Sequence, residues 1–385
     1  MKILLAGPTW PHEMYERACA RALHGLGVEV VPFYLEPASR NLFSRVEFKY
    51  TLLGPSLRKL QQDLLAQVEI SRPDVLLIWL GASVVPKTLQ AIKQRANCIL
   101  ASYVHDDPFA HRVHRLSPAH HRWYWRAFLE GLPIYDLALF SKELNVDDAY
   151  RFGARKAAVL RQFFVPEVHR PRSLTAEERC RFACDVAFAG HYEPDRRVEY
   201  IRSLVEAGLK VNLYTGGLWE RAYLDHMPPT FRRLARVGGE EYAKALVGAG
   251  MCLCFVSKIN RDQYTTRCFE IPACGRLLLS ERTEALLRLF EEDQEAVFFS
   301  TPEELTKKAL WLRDHPQEIE RIAQAGRRRL LTDGHSVYDR MRELLLLIEN
   351  VRTTKSAVTT HATGARPFGP ELLDRTGNSL GKDQP

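Results

Sequence analysis

The sequence has no Cys-x-x-Cys pair, no apolar stretch of about 18 residues and no repeat of fixed period. Each absence closes a class of protein. The eight cysteines, at positions 19, 98, 180, 184, 252, 254, 268 and 274, lack the pairing that zinc and redox motifs use. They read as reduced, mostly buried side chains of a cytoplasmic protein. Without a long apolar run the chain offers no membrane-crossing segment. MKILLAG has one lysine and too short an apolar run for a signal peptide. The expected localisation is therefore cytoplasmic, with peripheral membrane contact through basic helices left open.

What is present is ordinary for a soluble globular chain. Of 385 residues 46% are hydrophobic and 26% charged, and the length suggests about two domains. The formal charge of +7 is spread along the chain and forms no basic tail. An acidic small molecule such as a nucleotide fits this balance better than duplex nucleic acid.

Strand-like and helix-like runs alternate from the start. KILLAG, VEVVPFYL, DVLLIWLG, CILASYV, DLALFS and KAAVLRQ read as strands with amphipathic segments between them, and a second series follows with CDVAFAG, KVNLYTGG, MCLCFVS, RLLLS and EAVFFS. Continuous apolar strands flanked by helices predict an α/β fold of two doubly wound, Rossmann-like halves with parallel sheets and a cleft between them. The expected first domain is 1–166 and the second 184–334. The charged, proline-containing text between them is read as a connection. A helix in 335–352 is expected to pack back toward the first domain, and 353–385, poor in apolar residues, to be a disordered tail.

Ligands of such sheets bind beyond the carboxyl ends of the strands, so candidate residues are sought there. YVHDDPF places His105, Asp106 and Asp107 just after a strand, either for chemistry or as an Asp-Pro turn. AGHYEPDRRVEY gives Gly190 at a strand end, then Arg196 and Arg197 in a first helical turn, where arginine opposes the helix dipole unless an anion is near. The alternative is that both extend into water. YTGGLW supplies Gly216 at another strand end, and FVSKINRDQYTTR supplies Lys258, Asp262, Thr266 and Arg267. The short segment TTRCFEIPACG reads as a helix of about two turns, limited by Pro272 and stopped by Gly275. Glu270 has no capping-box partner in it. Arg267 and Glu270 are then either a phosphate-and-hydroxyl site or an exposed i,i+3 pair. His111, His114, His120 and His121 have no metal-ligand spacing and stand among arginines, so no metal site is expected.

From Cys184 to Ile348 the text, including DVAFAGHYEPDRR and FVSKINRDQYTTRCFEIPACGRLLLS, resembles the C-terminal domain of the CgeB-like, spore-maturation-type glycosyltransferases of the two-Rossmann (GT-B) class. YVHDDPF is similar to the Asp-Asp-Pro segment of that family's first domain. The resemblance implies a retaining, metal-independent transferase that uses a nucleotide sugar as co-substrate and no cofactor. Two acidic residues with seven between them match Asp262 and Glu270. The second implies a contact to the nucleotide ribose and the first a place near the donor sugar, with aspartate standing where glutamate is usual. Arg197, Lys258 and Arg267 are implied at the donor diphosphate, and His105 to Asp107 at the sugar and acceptor, with His105, Asp107 and Asp262 the catalytic candidates. The strand-end residues Gly190, Arg196 and Gly216, with Thr266, are expected to complete the donor side.

The expected activity is transfer of a sugar to a hydroxyl on an unidentified glycan, protein or small-molecule acceptor. Three alternatives stay open. They are a nucleotide-sugar epimerase on the same fold, a non-catalytic nucleotide-binding or coat-assembly protein, and an enzyme that glycosylates DNA bases.

Overall fold

The computed structural model describes residues 1–7, 13–35, 46–47, 54–113, 119–216, 219 and 228–363. Two six-stranded sheets form, every strand pair parallel. The first contains β1 (Lys2–Gly7), β2 (Glu29–Tyr34), β3 (Val75–Trp79), β4 (Ile99–Val104), β5 (Leu137–Phe140) and β6 (Ala157–Val159), in the order β2-β1-β3-β4-β5-β6. The second contains β7 (Cys184–Ala189), β8 (Val211–Thr215), β9 (Phe231–Ala235), β10 (Ala249–Cys254), β11 (Leu277–Glu281) and β12 (Val297–Phe299), in the order β12-β11-β10-β7-β8-β9.

These are doubly wound sheets whose order reverses between β1 and β3 and between β7 and β10, the positions at which such folds open a crevice. Strands β3, β4 and β5 are buried along their whole length, as strands covered by helices on both faces must be. The edge strand β9, FRRLA, was not expected from its sequence. Its two arginines are exposed, and a charged edge strand has no apolar run or clean alternation to read.

Four helices matter for the site: α1 (Glu13–Gly25), α2 (Gly239–Gly248), α3 (Arg267–Ala273) and α4 (Val337–Thr363). Helix α3 has Pro272 in its last turn and six buried residues of seven, so packing and not propensity holds it. Gly275, at φ 70°, ends it in the left-handed conformation that glycine adopts without strain. Its N–H donates to the Pro272 carbonyl, 2.8 Å away.

The chain crosses between halves twice, side by side. The Phe164 N–H donates to the His335 carbonyl at 3.2 Å, and the Val337 N–H to the Phe164 carbonyl at 2.9 Å. From there α4 lays Val337, Met341, Leu344, Ile348 and Val351 into the core of the first half. The helix runs past the expected start of a tail at 353 and continues to Thr363. Hydroxyls of Thr353 and Thr354 donate to the Glu349 and Asn350 carbonyls, each at 2.7 Å, a pattern compatible with helix, and extending a formed helix is cheap. Residues 364–385 of that expected tail lie outside the described part.

Candidate active site

A cavity of about 430 Å³ lies between the two halves, a size suited to a small-molecule ligand. The first half contributes Tyr15 of α1, Trp79 at the end of β3, Tyr103 and His105 at the end of β4, and Gln162 and Phe163 of the connection. The second half contributes the ends of β7 and β8, the stretch from Arg236 to Gly239, Tyr242 of α2, and Thr266, Arg267 and Glu270.

Glu270 is 2% exposed. The phenol of Tyr15 donates to one of its oxygens and the phenol of Tyr242 to the other, the latter at 2.9 Å. Burial, reinforced by the charge of Glu270, pushes both phenols well above their usual range, so both remain protonated donors. His169 stands 3.6 Å away, too far for a hydrogen bond. Its Nδ1 accepts from the Val165 N–H at 3.0 Å, and burial lowers its pKa. The ring is neutral and does not compensate the carboxylate. A buried carboxylate already accepting two hydroxyls is set up for a ligand that presents a pair of hydroxyl groups. The exposed-pair reading of Arg267 and Glu270 does not hold, because Glu270 is buried and faces tyrosines.

Beside this carboxylate is a region suited to an anion. Arg267 donates from Nε to the Ala189 carbonyl at 2.5 Å, which fixes its guanidinium in the cavity wall. Arg236 lines the same space. The ten-residue helix α2 opens on it through Gly238 and Gly239, bringing unpaired N–H groups and the positive end of the helix dipole. A Cβ at Gly216, Gly238 or Gly239 would meet nothing within 4 Å, so backbone is open to a ligand there.

Of the residues expected at the site, the cavity gathers His105, Gly190, Gly216, Thr266, Arg267 and Glu270. The other five lie outside its lining and have protein partners. Arg197 is 4% exposed, and its guanidinium donates to both Asp195 oxygens at 2.8 and 2.7 Å and to the His191 carbonyl at 2.8 Å. Arg196 forks onto Glu199 at 2.7 and 2.8 Å on the exposed helix face. These carboxylates supply the negative charge that two arginines in a first helical turn require. Lys258 pairs with Glu281 at 3.1 Å.

Asp107 and Asp262 belong to a charged junction joining the halves. Asp107, 1% exposed, accepts from both Arg261 Nη2 and Asn145 Nδ2, at 3.0 and 2.9 Å. Arg261 also reaches Asp148 at 2.7 Å. Asp262 pairs with the buried Lys142 at 2.7 Å. Burial raises the Asp262 pKa, the lysine opposing the shift. Among the described residues no three His, Cys, Asp or Glu side chains are grouped to hold a metal ion. Of the four histidines weighed for one, His114 and the side chain of His120 lie outside the described part.

The model of a family described as glycosyl transferase-like matches residues 195–346. No curated protein sequence matches the chain. Among solved structures it is similar to sucrose-phosphate synthase from Thermosynechococcus elongatus, with TM-score 0.70 and 11% identity over 92% of this chain and 100% of that one. It is also similar to HepE of Anabaena in complex with UDP and glucose, with TM-score 0.62 and 11% identity over 91% and 99%. A third is a Listeria monocytogenes protein described as a UDP-N-acetylglucosamine 2-epimerase, with TM-score 0.56 and 11% identity over 97% and 99%. The fold is GT-B.

The cavity contains residues that sequence reasoning missed. Tyr15 and Tyr242 stand on amphipathic helices, where a tyrosine reads as packing. Arg236 follows β9, so missing that strand hid the strand end. Only Gly238 and Gly239 left a legible signal, a glycine pair at the start of a helix.

Proposed function

We propose that the protein is a glycosyltransferase that moves a sugar from a nucleoside-diphosphate donor to a hydroxyl-bearing acceptor. The observation that carries this reading is the buried carboxylate of Glu270 beside Arg267, Arg236 and the start of α2 in a cleft between two Rossmann-like halves. The carboxylate suits the two ribose hydroxyls, and the cationic side suits the diphosphate. Negative charge develops on that diphosphate as the glycosidic bond breaks, and fixed guanidinium and helix-start N–H groups stabilise it.

The HepE structures with UDP and with UDP-glucose, and the family match over the second half, support a nucleotide-sugar donor. Retention of configuration, independence from metal, membership of the CgeB-like branch and a cytoplasmic location belong to the same proposal. They rest on the sequence resemblance and on the reduced cysteines. No helix among the described residues is long and apolar enough to cross a membrane.

Thermal denaturation against a panel of nucleotides and nucleotide sugars tests the donor assignment. A ligand at 100 times its Kd stabilises by about 2.7 kcal/mol, so UDP or a sibling should raise Tm, with and without chelator. No shift with any nucleotide would remove the reading. The similarity to the Listeria protein favours a second one, an epimerase. Conversion of the nucleotide sugar without any acceptor would select it.

A further inference from the structure

Trp79 ends β3 and His105 follows β4, its neighbour in the first sheet, and both side chains line the cavity. The indole Nε1–H of Trp79 donates to Nδ1 of His105 at 3.2 Å. Tyr103 meets Trp79 edge-on, with ring centres 4.9 Å apart at 88°, and braces the indole. The His105 backbone is tied as well, its carbonyl accepting from Ser141 Oγ at 2.9 Å.

An indole nitrogen can only donate, so Nδ1 of His105 must offer its lone pair. Burial holds the His105 pKa below its ordinary value, with Asp106 and Asp262 opposing and Lys142 reinforcing, so at neutral pH the ring has one ring proton. With Nδ1 accepting, that proton sits on Nε2. A general base needs a bare nitrogen within reach of the proton it takes. Here the bare nitrogen faces the indole.

We propose that His105 acts as a hydrogen-bond donor to a substrate oxygen through Nε2–H, and not as the base that takes the acceptor's proton, with Trp79 as the positioning residue that fixes this tautomer. The role in substrate binding rests on the glycosyl-transfer reading, whereas the tautomer does not.

The test uses the full chain with ¹⁵N-labelled histidine. Imidazole ¹⁵N NMR without ligand should give, for His105, a bare Nδ1 and a proton-bearing Nε2. Trp79→Phe should mix the two forms. Turnover of a nucleotide-sugar panel that includes UDP-glucose, with water as acceptor, is then measured. His105→Gln, which keeps an N–H near Nε2, should stay within about tenfold of wild type. His105→Ala should lose roughly a hundredfold, the usual cost of removing one such donor. Trp79→Phe should fall severalfold between them.

A proton found on Nδ1 overturns the proposal. So does His105→Gln as inactive as His105→Ala, and so does undiminished turnover in His105→Ala. A wild-type chain that turns over no nucleotide sugar overturns both the glycosyl-transfer reading and the substrate role of Nε2–H. The spectrum separates that failure from a wrong tautomer.

Discussion

The Tyr15 phenol, from the first half, donates to the Glu270 carboxylate of the second, so a single side-chain contact closes the cleft over the group proposed to hold ribose. A nucleotide that presents its own hydroxyls to Glu270 must displace that phenol. Tyr15→Phe removes the competitor, and UDP should bind roughly tenfold to a hundredfold tighter, the equivalent of one hydrogen bond to a charged group of about 1.5–3 kcal/mol. Glu270→Gln should bind UDP at least about tenfold more weakly, because it loses the charged acceptor. Calorimetry reads both. Weaker binding by Tyr15→Phe would make the phenol a ligand contact and not a competitor.

Arg267 and Arg196 looked alike in sequence and should behave differently. Arg267→Ala should lower kcat/KM by about a hundredfold, near 3 kcal/mol of lost transition-state stabilisation. Arg267→Lys should recover only part, because the planar fork held by the Ala189 carbonyl is lost. Arg196→Ala should leave nucleotide affinity and Tm unchanged, since its fork is spent on Glu199 at the surface. Equal losses in the two variants would mean that the cavity has been assigned to the wrong arginine.

The fold was legible because strands such as β3 and β5 are apolar along their whole length and alternate with amphipathic helical segments. β9 escaped because exposed arginines occupy an edge. The site was half legible. Gly190, Gly216 and the Arg267–Glu270 segment follow strands, and topology alone brings them to the cleft. What one chain segment cannot reveal is the partner that another segment supplies. Asp107 has the chemistry of a site residue, yet Arg261, far along the chain, engages it, and nothing local announces that pairing; the partner of Arg197, by contrast, is its near neighbour Asp195.

Asp107 was a catalytic candidate, and its place at the junction gives it a different expected phenotype. Removing one member of a buried ion pair costs about 3–5 kcal/mol, so Asp107→Asn and Arg261→Ala should each lower Tm by several degrees. Their double variant should be far less destabilised than the sum. Arg261 is also held at φ 45°, so Arg261→Gly should cost less than Arg261→Ala by relieving the backbone. A full loss of activity in Asp107→Asn with Tm unchanged would restore the catalytic role.

His335 links stability to pH where the chain returns to the first half. Its backbone carbonyl accepts from Phe164, its ring centre lies 5.1 Å from that of Phe269, and burial, aided by Arg340, lowers its pKa to about 4. The unfolded chain, with an ordinary histidine near 6.5, takes up a proton between those two values, and the folded chain does not. Stability therefore rises with pH across this window. The contribution is complete above about pH 6.5 and is lost progressively as pH falls toward 4. At pH 5 the deficit is about 2 kcal/mol, from roughly 1.36 kcal/mol per pH unit. His105 and His169 are held down in the same sense, so replacing His335 removes one share of the slope and not all of it. Denaturant titrations at pH 7 and pH 5 should give a smaller difference for His335→Gln than for wild type. An identical difference in the two proteins would show that the junction does not sense the proton, and that the remaining histidines carry the whole effect.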